Sequence, residues 1–247
     1  MVRRQLRDEQ WLRIERVLVS QRRSGRRGRD DRNFIEAVLW WRRTGVPWRD
    51  LPEEFGSWKT VFNRFDRWSK DGQWSRLFEA LRVDPDDEWH SLDSTINRAH
   101  QHAAGAKGGR IERDRALARR SFDEGAPRRR CAPLTFEVTE GQRNDIVLAR
   151  ELSSRARSRC LLADKAYDAS AFRASLEAAG CTPVIPWNRS RATSRSYDKE
   201  LYKARSEIEC TFNLLKQARR FATRYEKTLR NYAAVVALGC AMLWLRI

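Results

Sequence analysis

Along the N-terminal part of the chain, apolar residues recur at intervals of three and four. Further on they gather into short runs, several of them interrupted or ended by a carboxylate. The first pattern predicts amphipathic helices and the second predicts half-buried or buried strands. Trp11, Ile14 and Leu18 predict a helix over 7–20. After a basic, glycine-broken stretch at 22–29, Asp30 or Asp31 is placed to cap a second helix. Its apolar side is Phe34, Ile35, Val38, Leu39 and Trp41, and its stop is Gly45. Val46-Pro47-Trp48 opens a short helix that ends near Phe55-Gly56. Ser57 caps another, from Trp58 to Asp71, and a last short helix runs from Trp74 to Leu81. On the 58–71 helix Val61, Phe65 and Trp68 form the apolar stripe, and Lys59, Asn63, Arg64 and Arg67 the other face.

A short helix, a glycine turn and a second helix with a basic, Asn-bearing face describe a helix-turn-helix. Its second helix would enter the major groove, with Asn63 and Arg64 in reach of base edges. The same pattern also describes a small all-α packing domain with a solvated basic face.

From Asp84-Pro85-Asp86-Asp87 onward the character changes, so the expected division is 1–85, helical, and 86–247, α/β. Trp89 to Ile96 reads as a strand carrying Asp93, and Leu134 to Thr139 as a strand ending in Glu140-Gly141. Asn144 or Asp145 caps a helix to about Arg157. Cys160 to Ala163 is a buried strand that ends at Asp164. Asp168 or Ser170 then caps a helix with Phe172 and Leu176 inside and Gly180 after it, followed by a strand from Thr182 to Ile185. Strand, helix and strand at this spacing make a right-handed βαβ unit. A polar loop over 189–196 leads into one long helix, about 198–219, and then an apolar C-terminal helix over 233–245. That last run is too short to span a bilayer.

Charge narrows the function classes. The chain has 247 residues, 50 Lys plus Arg against 33 Asp plus Glu, and a net charge of +17. Such an excess favours an acidic polymer as partner, and the predominance of Arg favours bidentate phosphate contacts. A basic protein from a GC-rich genome is the plainer alternative. The five cysteines, at 131, 160, 181, 210 and 240, form no CxxC pair, so neither a zinc module nor a disulfide framework is indicated. The N-terminus has no apolar signal-like core, and a reducing cytoplasm is the expected setting.

Tyr202, Arg205, Glu209 and Lys216 are spaced by 3, 4 and 7 residues and lie along one helical stripe. They run beside the apolar stripe of Ile208, Phe212 and Leu215. Asp164, at the C-terminal end of its strand, stands where open α/β sheets place their sites. Asp93 has a similar setting between Leu92 and Ile96. Each Asp alone is as readily a loop cap or an ion-pair partner. Together, three carboxylates with an Arg and a Lys suit a site that holds Mg²⁺ or Mn²⁺ against a phosphate backbone. His100 and His102 lack ligand-like spacing and read as loop or DNA-facing residues.

These residues resemble the insertion-sequence transposases of the Asp-Asp-Glu type, in the branch with a Tyr-x2-Arg-x3-Glu-x6-Lys signature. The resemblance rests on Leu92-Asp93-Ser94-Thr95, on Leu162-Ala163-Asp164-Lys165-Ala166-Tyr167, and on Tyr202 through Lys216. It extends to Arg219 through Tyr225 and to Gly45 through Pro52. It implies a ribonuclease H-like catalytic domain, a mixed sheet with flanking helices, behind a helical DNA-binding domain. It implies Asp93, Asp164 and Glu209 as metal ligands, with Glu207 two residues too early. Arg205 and Lys216 are then supports for phosphate or carboxylate, and Tyr202 a positioning residue. The implied partner is double-stranded DNA, element ends and target, bound by a homo-oligomer.

One departure stands out. The family carries a β-hairpin after the Gly-rich loop, with a first strand reading like Thr-Lys-Val-His-Leu. Here Gly108-Gly109 is followed at 119–131 by a stretch without strand alternation, containing Gly125, Pro127 and three consecutive Arg. With suitable synonymous codons, Ser121 to Pro133 reads in a neighbouring frame as Ala-Ser-Thr-Lys-Val-His-Leu. A compensated frameshift near 119–132 would then have replaced the second strand and impaired the enzyme, whereas a basic surface insertion is the simpler account. Three functions follow: a metal-dependent transposase, a non-catalytic DNA-binding remnant of one, or a repair nuclease indifferent to end sequence.

Overall fold

In the computed structural model, residues 6–20, 30–82, 89–99, 112–120, 132–140, 145–155, 158–188 and 195–245 are described. The basic stretch 22–29, Asp84–Asp87, His100, His102, the 121–131 segment and most of the 189–196 loop lie outside them. The chain forms two compact units. One comprises Met1–Val83, Arg98–Gly109 and Leu215–Ile247; the other comprises Asp84–Asn97 and Arg110–Leu214. The C-terminal helix groups with the N-terminal ones.

In the first unit, α1 (Asp8–Ser20), α2 (Asp31–Thr44), α3 (Trp58–Lys70) and α4 (Gln73–Leu81) assemble with α10 (Leu229–Trp244). The core is aromatic: Trp41 stacks on Trp48 at 3.7 Å, and Phe65 lies 5.3 Å from Trp41 and 5.5 Å from Trp74. Helix α10 is apolar on nearly every side and is accordingly buried. Gln10, buried on α1, donates from Nε2 to the Leu245 carbonyl at 2.9 Å. A short helix, α9 (Arg219–Ala222), leads into β6 (Thr223–Arg224), which pairs in parallel with Arg98–Ala99.

The ends of α2 were correctly marked by its sequence. Asp30 accepts from the Asn33 amide at 2.9 Å, and Gly45, at φ 77°, donates to the Trp41 carbonyl at 3.0 Å. A Cβ at Gly45 would stand 2.8 Å from the Arg219 Cβ. We expect Gly45→Ala to cost about 2–5 kcal/mol, from about 1–2 for the left-handed backbone and about 1–3 for crowding. Urea unfolding of the variant beside the parent chain measures it.

The helix expected over 46–55 is corrected. Two 3₁₀ turns, Trp48–Asp50 and Glu53–Phe55, stand in its place. Pro52 forces Leu51 into an extended conformation, ψ 127°, which stops any helix there. The segment before α3 is therefore not the first α-helix of a helix-turn-helix.

The second unit is built on a sheet with strand order β3-β2-β1-β4-β5. Its strands are β1 (Trp89–Ala99), β2 (Glu112–Arg120), β3 (Ala132–Glu140), β4 (Cys160–Ala163) and β5 (Thr182–Val184). The first three pair antiparallel, and β1, β4 and β5 pair in parallel. Leu92, Leu161 and Ala163 look toward α5 (Asp145–Arg155) and α6 (Ser170–Ala178), packing with Leu152, Phe172 and Leu176. Leu162 and Val184 face the other way, onto Tyr197, Leu201 and Tyr202. The apolar run on β4 follows from this covering of both faces.

Two expectations fail in this unit. The second strand is not lost: Glu112–Arg120 pairs with β1 along nine positions, from Trp89↔Arg120 to Asn97↔Glu112. Its Glu, Arg, Ala and Leu content favours helix, but a place between two strands demands backbone pairing and overrides that preference. The long helix over 198–219 is also broken, into α7 (Lys199–Lys203) and α8 (Ser206–Lys216). Ser206 Oγ donates to the Lys203 carbonyl at 3.0 Å, taking the acceptor a continuous helix would give to the residue 207 amide. The amides of Glu207 and Ile208 turn instead to Ala204 and Arg205, three residues back.

No helix among the described residues is long and apolar enough to cross a membrane.

Candidate active site

Sheet register brings the two aspartates together. The parallel pairing of β1 with β4 ends at Leu92↔Ala163, so Asp93 and Asp164 are the next residues on neighbouring strands. Leu92 and Ala163 share the core under α5 and α6. Side chains alternate along a strand, so both carboxylates belong to the opposite face, the one that Leu201 and Tyr202 cover. Asp164 also caps the 3₁₀ turn Lys165–Tyr167, accepting from the Ala166 amide at 2.8 Å.

Arg205 sits at the break between α7 and α8 and reaches to that face. Its Nη1 donates to Glu209 Oε1 at 2.7 Å and its Nη2 to Asp93 Oδ2 at 3.2 Å. The guanidinium is 18% exposed, the Asp93 carboxylate 13% and the Glu209 carboxylate 53%. Burial works against the charge on Arg205, but Asp93, Tyr202, Glu209 and Asp164 together outweigh it and raise its pKa. Tyr202 is half-buried, and burial raises its hydroxyl pKa, aided by Asp164 and opposed by Arg205. Asp93, Asp164, Tyr202, Arg205 and Glu209 thus share one electrostatic neighbourhood. Lys216, exposed at the far end of α8, is two turns beyond Glu209. Glu207 lies about 200° around the helix from Glu209.

All three carboxylates offer hard oxygens of the kind Mg²⁺ and Mn²⁺ take, and the guanidinium already draws two of them to one cation. Among the described residues, no three His, Cys, Asp or Glu are gathered as a ready metal site.

Asp168 or Ser170 was expected as a helix cap; Ala169 stands at the cap position, and Asp168 has another role. Buried beside Arg173, it accepts from Arg173 Nε at 2.7 Å and from the Asn188 amide at 2.8 Å, while Arg173 Nη2 donates to the Ile185 carbonyl at 2.6 Å. This pair ties the exit of β5 to the turn that follows Asp164. The one sequence signal for it was an Arg inside the apolar stripe of α6, between Phe172 and Leu176.

The basic face predicted on α3 is divided. Lys59, Asn63 and Arg67 are exposed. Arg64 instead turns inward, paired with Asp31 and lying 4.2 Å over Phe34 and 5.1 Å over Trp68. Sequence reading did not single out Trp58, which has Arg49 and Lys59 each 5.8 Å from its ring.

Residues 91–245 match a family described as "Transposase DDE domain", and residues 6–78 match one described as "Putative transposase of IS4/5 family". The chain is 47% identical over 113 residues to "Uncharacterized protein y4sN" of Sinorhizobium fredii, covering 44% of this chain and 90% of that protein. It is 41% identical over 116 residues to the "Putative transposase for insertion sequence element IS6501" of Brucella ovis, covering 46% and 89%. A solved structure, the cryo-electron microscopy structure of simian T-cell lymphotropic virus intasome in complex with PP2A regulatory subunit B56 gamma, overlays with a TM-score of 0.37. The identity is 11%, with 82% of this chain and 66% of that one covered, a likeness too low to carry an argument. A mixed α/β sheet flanked by helices accords with a ribonuclease H-like DDE domain, and over half the chain matches that family. The chain belongs to the DDE transposases of insertion sequences.

Proposed function

We propose that the protein binds the terminal inverted repeats of its element and catalyses DNA strand cleavage and strand transfer in a divalent-metal-dependent reaction. The observation that supports this most is the Arg205 bridge between Asp93 and Glu209, with Asp164 following the neighbouring strand. Asp93, Asp164 and Glu209 would hold Mg²⁺ or Mn²⁺, which supplies Lewis acidity to the attacking and leaving oxygens of the scissile phosphate. In cleavage, a water oxygen attacks phosphorus and the strand's 3′ oxygen leaves. In transfer, that 3′-hydroxyl attacks a target phosphate and a target 3′ oxygen leaves. Arg205 and Lys216 complement phosphate charge, and Tyr202 orients the strand. The first unit contributes Lys59, Asn63 and Arg67 on α3 to the DNA backbone and grooves, with Arg64 fixing that helix to α2. Joining two element ends calls for a homo-oligomer on DNA.

The test uses a duplex carrying the sequence that borders this gene, beside a scrambled duplex. Incubation with Mg²⁺ or Mn²⁺ is expected to nick the border duplex alone, and a chelator to stop it. Equal cleavage of both duplexes would indicate a repair-type nuclease. Binding without cleavage would indicate a DNA-binding remnant. The pairing of β2 beside Asp93 supports the catalytic reading over that remnant.

A further inference from the structure

The Arg205 guanidinium donates to one oxygen of Glu209 and one of Asp93. A divalent ion ligated by those two oxygens, at about 2.1 Å from each, would draw on the same two acceptors that the Nη groups now engage and would repel the like charge of the guanidinium. The Arg205 contact is also incomplete, because its Nε is buried with no hydrogen-bond partner. Of the two acceptors, Asp93 is fixed on a central strand, whereas Glu209 is mostly exposed on the helix after the 204–206 break.

We propose that Arg205 and the divalent ion compete for Asp93 and Glu209, and that metal loading releases the guanidinium to a DNA phosphate. The inference rests on the reading of Asp93 and Glu209 as metal ligands. Without metal, Arg205 holds the two carboxylates together against their mutual repulsion. With metal, the charge that stabilised the empty site becomes a phosphate ligand at its mouth. Metal and DNA then promote each other's binding, by the same factor in both directions.

The experiment is Mn²⁺ titration of the full chain without DNA, by calorimetry and by the electron paramagnetic resonance signal of free Mn²⁺. Competition predicts that Arg205→Gln binds Mn²⁺ about tenfold more tightly than the parent. An arginine that merely supports the ligands predicts the reverse, a loss on the order of 10–100-fold. Unchanged or weakened binding in Arg205→Gln overturns the proposal. Arg205→Lys, a one-point donor in place of a fork, is expected to tighten binding by less. It carries the same decision if the Gln variant does not fold. Glu209→Ala and Asp164→Ala guard the underlying reading. If neither weakens Mn²⁺ binding, the metal-site assignment itself fails; if both do and Arg205→Gln does not tighten it, only the competition fails.

Discussion

Glu209→Ala is expected to leave binding to the element end intact and to slow strand cleavage on the order of a thousandfold or more. If Glu209 is one of three anionic metal ligands, as proposed, its loss removes several kcal/mol of transition-state stabilisation, and about 4 kcal/mol is about a thousandfold in rate. Stability does not confuse the result. The Glu209 side chain is 53% exposed, and its ion pair is with an arginine that keeps Asp93 as a second partner. Exposed substitutions of this kind stay within about 0.5 kcal/mol. Single-turnover cleavage on the border duplex gives the rate, and a thermal melt monitors the fold. Glu207→Ala is the matched control: the same charge change, on the same helix, facing another way. A cleavage rate within tenfold of the parent in Glu209→Ala would remove Glu209 from the metal-binding set. Equal losses in both variants would point to charge alone.

The three candidate carboxylates each stand at a position that sequence pattern can locate. Asp164 ends an apolar run, Asp93 interrupts one, and Glu209 falls at a fixed interval from Tyr202 and Arg205. The arginine's bridging was not legible. It joins residues 112 apart in the chain, through a bond set by strand register and by a helix break. At the break Ser206 Oγ donates to the Lys203 carbonyl, a local contact that helical periodicity does not register. Caps were readable where Asp and Gly act through their own backbone geometry, as at Asp30 and Gly45. The 46–55 segment is not one helix because Pro52 holds Leu51 extended. The strand Glu112–Arg120 was missed for the opposite reason: its residues favour helix, and only its two neighbours make it a strand. Asp168 looked like a cap because its buried partner, Arg173, becomes visible as such only once α6 is packed.

The largest expected effect on stability lies in the first unit, at Arg220 and Glu226. Both are buried. Arg220 Nη1 donates to Glu226 Oε1 at 2.8 Å, and Nη2 donates to the Val46 carbonyl at 2.6 Å. The guanidinium also lies 3.9 Å over the Trp41 ring. Burial raises the Glu226 pKa and lowers that of Arg220, so each group is pushed toward its neutral form and held charged by the other. Removing one partner alone therefore strands a buried charge. Glu226→Ala is expected to cost about 3–5 kcal/mol, a fall in Tm of roughly 10 °C or more. The double variant Arg220→Met, Glu226→Met removes both charges and is expected to lose less than Glu226→Ala alone. It does not recover fully, because the Val46 carbonyl is left without its donor. A pH series separates the causes. The folded-state pKa of Glu226 is raised, so between its ordinary value and the raised one the folded chain binds a proton that the unfolded chain does not. This group's contribution to stability falls as pH rises through that window, and Glu226→Gln is expected to abolish that slope. If the double variant is less stable than Glu226→Ala, Arg220 is held chiefly by the Val46 carbonyl and Trp41 rather than by Glu226.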